Sequence, residues 1–249
     1  DGLIEVSNVT FGYEPNKAVL KDVSMTAKPG QMIGVVGHSG AGKSTLVNLI
    51  SRLYDIEEGE IRLDGVNVKE LSFDTLRRHI GIVSQEVYVF MGTIAENIAY
   101  AKPDCTMGEI IRAAKIANAH DFIEKLPDGY DTITGTGGHS LSGGEKQRIS
   151  IARAILHDPK ILILDEATAS LDTETELKIQ QSLETLMEGR TTIAIAHRLS
   201  TLRNADYLLV MDQGKVVEEG THDQLMDRKG AYYDLVKKHE EALQMKGVG

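Results

Sequence analysis

The chain has 249 residues, of which 41% are hydrophobic and 26% are charged, a composition ordinary for a soluble protein with one full core. Its formal net charge of -10 argues against nucleic acid as a partner, because each phosphate contact requires a Lys or an Arg. The single Cys105 cannot form an internal disulfide, and no apolar run is long enough to cross a bilayer, so we expect a soluble cytosolic domain with sub-lobes.

The chain carries strand patterns of two kinds. Because the chain begins at Asp1 without a leader segment, we expect it to be a piece of a longer protein. Apolar and polar residues alternate over 3–7 and 19–27, which predicts antiparallel strands with one face in solvent. Nearly apolar runs predict parallel strands buried on both faces at 32–36, 161–164 and 192–196. The fold class is therefore predicted to be α/β with an N-terminal antiparallel β-lobe.

Helical patterns occupy the middle and the end of the chain. Thr106 and Glu109 form a capping box ahead of a helix, and a second short helix is predicted from His120 to Leu126. Near the end, Asp212-Gln213-Gly214 joins two strands and Thr221 caps a short helix. We predict a helical subdomain at about 87–158, inserted into an α/β core formed by about 1–86 and 159–249.

A glycine-rich loop follows the first buried strand and precedes a helical run from Thr45 to Leu53. This context is the one that a phosphate-binding loop requires, because backbone N–H groups and the helix N-terminus can surround a β-phosphate. Lys43 adds a point charge, and Ser44 offers a hydroxyl to Mg²⁺. The alternative is a glycine-rich turn without a ligand. The predicted nucleotide-binding residues are Gly37, His38, Ser39, Gly40, Ala41, Gly42, Lys43, Ser44 and Thr45.

Two carboxylates follow the buried strand at 161–164. Open α/β sheets bind ligands at the carboxyl ends of their strands, so Asp165 is predicted to hold Mg²⁺ and Glu166 to polarise the water that attacks the γ-phosphate. If the glycine-rich loop were absent from the sequence, these two residues could also be solvated acids at the end of a strand. Together the loop and the acids predict an Mg²⁺-dependent ATPase.

A third motif, Leu141-Ser142-Gly143-Gly144-Glu145 followed by Lys146-Gln147-Arg148, indicates the family. With Lys43, Asp165 and Glu166 it strongly resembles the ATP-binding cassette signature, and the resemblance extends from Phe11 to the C-terminal tail. It implies a P-loop NTPase core of the RecA-like kind that binds ATP in a head-to-tail pair. Ser142, Gly143, Gly144 and Glu145 of one copy would then close over the γ-phosphate at the other copy's Lys43, since Ser142 heads a helix.

This signature departs from the common pattern at its last position, where Glu145 replaces Gln. A capping box accepts either residue, so we expect the helix to tolerate the change. A carboxylate about 8 Å from a γ-phosphate, at an effective dielectric of about 20, opposes it by about 2 kcal/mol before salt screening. We therefore expect weaker closure of the pair than in relatives.

Other positions match the cassette pattern one at a time. The resemblance implies that Tyr13 stacks on adenine, although a lone Tyr is more often a half-buried strand residue. It implies that Gln85 reaches Mg²⁺ and the attacking water, although an isolated Gln would be only a loop residue. It also implies that His197 contacts the γ-phosphate, although a lone His after a strand is more often structural or at the surface. Asp172 resembles a residue of the loop that crosses to the partner. Thr136 and Gly137 stand where exporters commonly have Glu and Arg.

Three classes of protein use this cassette: exporters, importers, and soluble ATPases that act in chromosome maintenance, DNA repair or translation. The spacing between Lys43 and Ser142 leaves no room for the coiled coil of repair ATPases, and the acidic charge disfavours translation factors. The segment 85–98 resembles the exporter form, in which Tyr88, Phe90 and Met91 offer a groove to a coupling helix, although they could also fill the core. We expect an exporter motor at the cytoplasmic face of a membrane, with an importer subunit as the alternative. The resemblance leaves open whether the second nucleotide-binding domain is another copy or a sister chain.

Overall fold

A computed structural model describes residues 1–84, 86–165, 172–196 and 199–246. Within them the strands are β1 Ile4–Phe11, β2 Leu20–Ala27, β3 Met32–Val36, β4 Glu58–Leu63, β5 Val66–Asn67, β6 Ile80–Val83, β7 Gly92–Thr93, β8 Ile133–Thr134, β9 Ile161–Asp165, β10 Thr191–Ile195, β11 Tyr207–Asp212 and β12 Lys215–Gly220. The α-helices are α1 Lys43–Ile50, α2 Phe73–His79, α3 Ile94–Ala99, α4 Met107–Ile116, α5 His120–Glu124, α6 Gly143–His157, α7 Thr173–Met187, α8 Leu199–Asn204, α9 His222–Arg228 and α10 Ala231–Lys246.

The chain divides into two compact units, each built from separate stretches of sequence. The first unit consists of Asp1–His79, Ile163–Glu166 and Thr191–Gly249. The second unit consists of Ile80–Leu162 and Ala167–Arg190. It therefore includes α7, which lies outside the helical insertion predicted at 87–158.

An antiparallel sheet in the order β2-β1-β4-β5 opens the first unit. Ile4 of β1 pairs with Ala27 of β2 on one side and with Leu63 of β4 on the other. Ile4 and Val6 are buried, whereas Glu5 and Ser7 are more exposed, as alternation of side chains along a strand requires. A shift in the pairing register between Val6 and Val9 places Val9 on the buried face as well. The predicted antiparallel β-lobe is confirmed.

The larger sheet of the first unit runs in the order β12-β11-β3-β10-β9. Both β10 and β11 pair with β3 in parallel, and every residue of β10 is buried. The predicted buried parallel strands at 32–36 and 192–196 are therefore confirmed, and the strand predicted at 161–164 is present and buried as β9. At its edge, β11 and β12 form a hairpin whose turn residues Gln213 and Gly214 both have positive φ, as a tight two-residue turn requires.

Helices dominate the second unit. Helix α6 packs against α3, α4 and α7, and its Ile149, Ile151 and Ala152 are completely buried. The predicted capping box of Thr106 and Glu109 begins α4. Local capping thus fixes where this helix starts.

Two predicted helices are shorter than expected. Helix α1 ends at Ile50 instead of Leu53, because Arg52 takes a left-handed conformation with φ of 52°. Helix α5 ends at Glu124 instead of Leu126, where the Leu126 amide bonds three residues back to Ile123. Among the helices of the described residues, none has the length and hydropathy that crossing a membrane requires.

Candidate nucleotide site

The glycine-rich loop joins β3 to α1 in the first unit. Helix α1 begins at Lys43, and its N-cap Gly42 has φ of 103° and ψ of 4°. The amides of residues 42–45 have no partner within the helix, since the first backbone bond of α1 runs from Leu46 to the Gly42 carbonyl. These amides and the positive end of the helix dipole favour an anion at this position.

Two glycines of the loop are required by close packing. A Cβ at Gly42 would lie 2.7 Å from Cδ2 of Leu20, in addition to the strain of its positive φ. A Cβ at Gly37 would lie 2.2 Å from the carbonyl oxygen of Met211. The Gly214 amide donates to the Ala41 carbonyl at 3.0 Å, so the hairpin turn between β11 and β12 supports the loop.

The side chain of Lys43 folds back over the loop. Its Nζ donates to the carbonyl oxygens of Gly37 at 2.7 Å and His38 at 2.9 Å. The residue is only 7% exposed. Burial lowers the pKa of its ammonium below the ordinary value, and the Asp165 carboxylate acts in the opposite direction. The predicted Asp165 carboxylate is thus near enough to influence the charge of Lys43, and Ser44, the next residue of α1, is exposed.

Tyr13 lies in the loop after β1 and contacts the start of α1. Its hydroxyl is 3.0 Å from Oγ1 of Thr45, and its ring packs edge-on against Phe11 and Tyr54, with centroids 5.1 Å away in each case. The residue is 50% exposed. A cleft of 690 Å³ opens beside it, lined by residues 10–18 together with Asp55, Glu57 and Glu58. Part of the ring is thus available to a flat ligand.

The predicted acids and polar residues of the chemical step are only partly described. Asp165 is the last residue of β9 and is partly exposed. The predicted catalytic residues Glu166, Gln85 and His197 lie outside the described residues. Among the residues that the structure does describe, no group of three or more His, Cys, Asp or Glu side chains is arranged to hold a metal ion.

The signature segment begins α6 in the second unit. Oγ of Ser142 accepts from the Glu145 amide at 3.2 Å, and Oε2 of Glu145 accepts from the Ser142 amide at 2.8 Å. The predicted capping box is therefore confirmed. Ser142 and Gly143 are exposed, and Gly144 is buried. The Glu145 carboxylate therefore has a structural role as part of this capping box.

Asp172 is the N-cap of α7, also in the second unit. Its Oδ1 accepts from the Thr175 amide at 2.9 Å, and this backbone bond is the main reason why the pKa of its carboxyl is lowered. Thr136 and Gly137, the atypical pair before the signature, are exposed. They follow Thr134, whose buried side chain donates to the Gly92 carbonyl at 3.2 Å.

Comparison with known proteins identifies the family. The family model described as "ABC transporter" matches residues 20–169. This chain belongs to the ABC transporter family. It is 54% identical over 232 residues to an ATP-dependent lipid A-core flippase of Syntrophus aciditrophicus (strain SB), covering 93% of this chain and 38% of that protein. It is 53% identical over 239 residues to ABC transporter B family member 4 of Dictyostelium discoideum, covering 95% of this chain and 31% of that protein.

A solved structure supports the same assignment. A bacterial Atm1-family ABC exporter with ATP bound matches 95% of this chain and 41% of its own chain, at 43% identity and a TM-score of 0.88. The ABC fold expected from the signature is therefore confirmed. This chain spans well under half the length of these ABC transporter relatives.

Sequence reasoning includes Arg148 in the signature segment but does not predict its structural role in this ABC domain, and it misses Asn118. Arg148, in the second turn of α6, donates from Nη1 to the carbonyl of Asn118 at 3.1 Å. Asn118 follows α4 with φ of 55°. An Asn just after a helical run is a signal for a left-handed helix end, but no local pattern in the sequence links Asn118 to Arg148, which is 30 positions away.

Proposed function

We propose that this chain is the nucleotide-binding domain of an ABC exporter and that it hydrolyses ATP with Mg²⁺. The observation that carries the proposal is the position of Lys43, a buried cation at the first turn of α1 beside the amides of residues 42–45. Within the part of the chain that the structure describes, this buried ammonium donates to the Gly37 and His38 carbonyls, and donating to charged phosphate oxygens instead would compensate its burial better.

The residues around this lysine fit a magnesium nucleotide. Ser44 and Asp165 supply the hard oxygen ligands that Mg²⁺ prefers. When bound, the metal neutralises charge that develops on the phosphates. The half-exposed ring of Tyr13 would pack on adenine, and the loop from Gly37 to Thr45 would hold the phosphates. Glu166 would orient the water, while Gln85 and His197 would contact the metal and the γ-phosphate.

The site is completed by a second nucleotide-binding domain in a head-to-tail pair. Ser142 is exposed at the start of the 15-residue helix α6, so its hydroxyl and the amides of residues 143 and 144 can face a phosphate from outside the chain. Asp172, exposed at the start of α7, would contact the same partner. One copy would therefore supply Lys43 and the other Ser142 to each nucleotide.

Export is the transport direction that the comparisons favour over an importer subunit or a soluble ATPase. The flippase of Syntrophus aciditrophicus and the Atm1-family exporter are the relatives that support it. Tyr88 and Met91 are 70% and 78% exposed, and the Phe90 ring stacks on Tyr100 at 4.2 Å. We propose that this aromatic surface receives a coupling helix of a transmembrane domain at the cytoplasmic face of the membrane.

Steady-state ATPase assays over a dilution series test this function. Two copies must meet to complete a site, so the rate should rise more than linearly with protein concentration and require Mg²⁺. The Lys43→Ala variant is the matched control and should show no activity at any concentration. A constant specific activity from a protein shown to be monomeric would contradict the composite site.

A further inference from the structure

Asn118 joins three helices of the second unit. Its carbonyl oxygen accepts from Nη1 of Arg148 on α6 at 3.1 Å. Its Nδ2 donates to the Lys178 carbonyl at 3.1 Å and to Oγ of Ser182 at 2.9 Å, both on α7. Ser182 is 1% exposed, and its hydroxyl donates to the Lys178 carbonyl at 2.7 Å. The end of α4 is thus bonded to α6 through the backbone and to α7 through the side chain.

Arg148 ties the same junction to the first turn of α6. Its Nε donates to the Gly144 carbonyl at 3.2 Å, and its guanidinium lies 4.8 Å from the ring centroid of Phe122. Burial lowers the pKa of Arg148, while the carboxylates of Glu145, Asp172 and Asp121 raise it. A planar guanidinium suits this place, because its separate N–H groups can serve two carbonyls while its face covers an aromatic ring.

The two helices joined in this way begin with the residues predicted to face the partner. Ser142 caps α6 two residues before Gly144, and Asp172 caps α7. Neither Asn118 nor Arg148 belongs to the nucleotide-binding residues described above. Their bonds hold α6 near its first turn and α7 at its second and third turns.

We propose that Asn118 and Arg148 are positioning residues that fix the N-termini of α6 and α7 relative to each other. Ser142 and Asp172 then meet the partner as one rigid surface. This inference rests on the proposed function, since it assigns a role in closing the ATP-bound pair. It predicts that loss of either residue weakens closure while nucleotide binding to a single copy is unchanged.

The test uses the Glu166→Gln chain, in which we expect the ATP-bound pair to accumulate because hydrolysis stalls. Arg148→Lys keeps the charge but loses the planar donor arrangement. Asn118→Gly keeps the left-handed backbone and the carbonyl acceptor but loses the bond to α7. Arg112→Lys is the matched control, because Arg112 is exposed on α4. The dissociation constant of the pair is measured by analytical ultracentrifugation with ATP, and that of ATP by fluorescent-nucleotide titration under monomeric conditions.

We expect Arg148→Lys and Asn118→Gly each to raise the dissociation constant of the pair about tenfold, with ATP affinity of the monomer within about twofold of the parent. The control should match the parent. Combining Arg148→Lys with Ser142→Ala should cost less than the product of the two effects, because Arg148 acts through the placement of Ser142.

Each other outcome has a distinct meaning. If the Glu166→Gln parent does not pair with ATP, the proposed function itself fails. If the parent pairs and both variants pair equally well, the positioning role is overturned. A parallel loss of ATP affinity in the monomer, or fully additive effects with Ser142→Ala, would also overturn it, since general damage to the fold would then explain the result.

Discussion

The ammonium of Lys43 donates a 2.7 Å hydrogen bond to the carbonyl oxygen of Gly37, six positions earlier in the same loop. The cation is thereby held at the point where phosphate oxygens would arrive. Because burial lowers its pKa, the charged form is less stable in the fold than in the unfolded chain. The positive charge of Lys43 therefore favours phosphate binding but lowers the stability of the fold.

Replacing Lys43 with Met should lower ATP affinity without lowering the stability of the fold. The variant should lose ATP affinity by at least about tenfold, because one charge-assisted contact is worth more than about 1.4 kcal/mol. Its melting temperature should match or exceed that of the parent, since a flexible apolar chain replaces a buried cation. Nucleotide titration and thermal melts at neutral pH measure both effects. A large fall in melting temperature would contradict this account of Lys43.

The same shift predicts how stability depends on pH. The folded pKa of Lys43 is lower than the unfolded value, so the unfolded chain binds more protons between the two values. The penalty for the buried charge is present below the folded pKa and is relieved as the pH rises through it. The stability of the parent relative to Lys43→Met should therefore increase toward alkaline pH. Urea unfolding of both proteins at neutral and alkaline pH measures the difference, and a constant difference would contradict the shift.

Two variants of Tyr13 distinguish its ring from its hydroxyl. Tyr13→Phe loses only the 3.0 Å bond to Thr45, so ATP affinity should stay within about twofold of the parent. Tyr13→Ala loses the stacking surface and should lower affinity by about 1 kcal/mol or more. Isothermal titration of ATP into each variant measures both effects. Equal affinity of Tyr13→Ala and the parent would show that the ring does not contact adenine.

Glu145→Gln tests the departure in the signature. Oε2 of Glu145 caps the Ser142 amide at 2.8 Å, and Gln can make the same bond, so the melting temperature should barely change. In the Glu166→Gln background, the variant should tighten the ATP-bound pair by less than about 2 kcal/mol, because a negative charge near the partner's γ-phosphate is removed. The Arg148 cation nearby reduces the effect further.

This tightening should be larger at low salt, where charges are less screened. Analytical ultracentrifugation at two salt concentrations measures it. An unchanged pair at both concentrations would mean that Glu145 serves only as the helix cap.

The parts of the molecule that sequence predicts well are those encoded by neighbouring residues. The capping boxes of α4 and α6 depend on residues three positions apart, and both are confirmed. The early end of α1 depends on the left-handed Arg52, whose guanidinium donates to the Val68 and Leu71 carbonyls. Such distant contacts leave no periodic pattern in the sequence.

The same limit applies to the second unit and to the site. Helix α7 is tied to Asn118 across 64 positions by the bond to Ser182, so its membership of that unit depends on tertiary contacts. The motif residues of the loop and the signature are predictable because each motif is contiguous. The bond between Arg148 and Asn118 spans 30 positions and is recognised only from the fold. The roles predicted for Glu166, Gln85 and His197 stay predictions.

Mixing two inactive variants tests the head-to-tail site most directly. Lys43→Ala removes the cation from the loop. Ser142→Asp keeps a good helix cap but sets a carboxylate against the partner's γ-phosphate. Neither variant should hydrolyse ATP alone. In a mixed pair, the intact loop of the Ser142→Asp copy meets the intact signature of the Lys43→Ala copy, which restores one site of two. With random pairing, we predict about a quarter of the parental ATPase rate in an equimolar mixture, since half of the pairs are mixed. A mixture no more active than the mean of its two components would contradict the composite site.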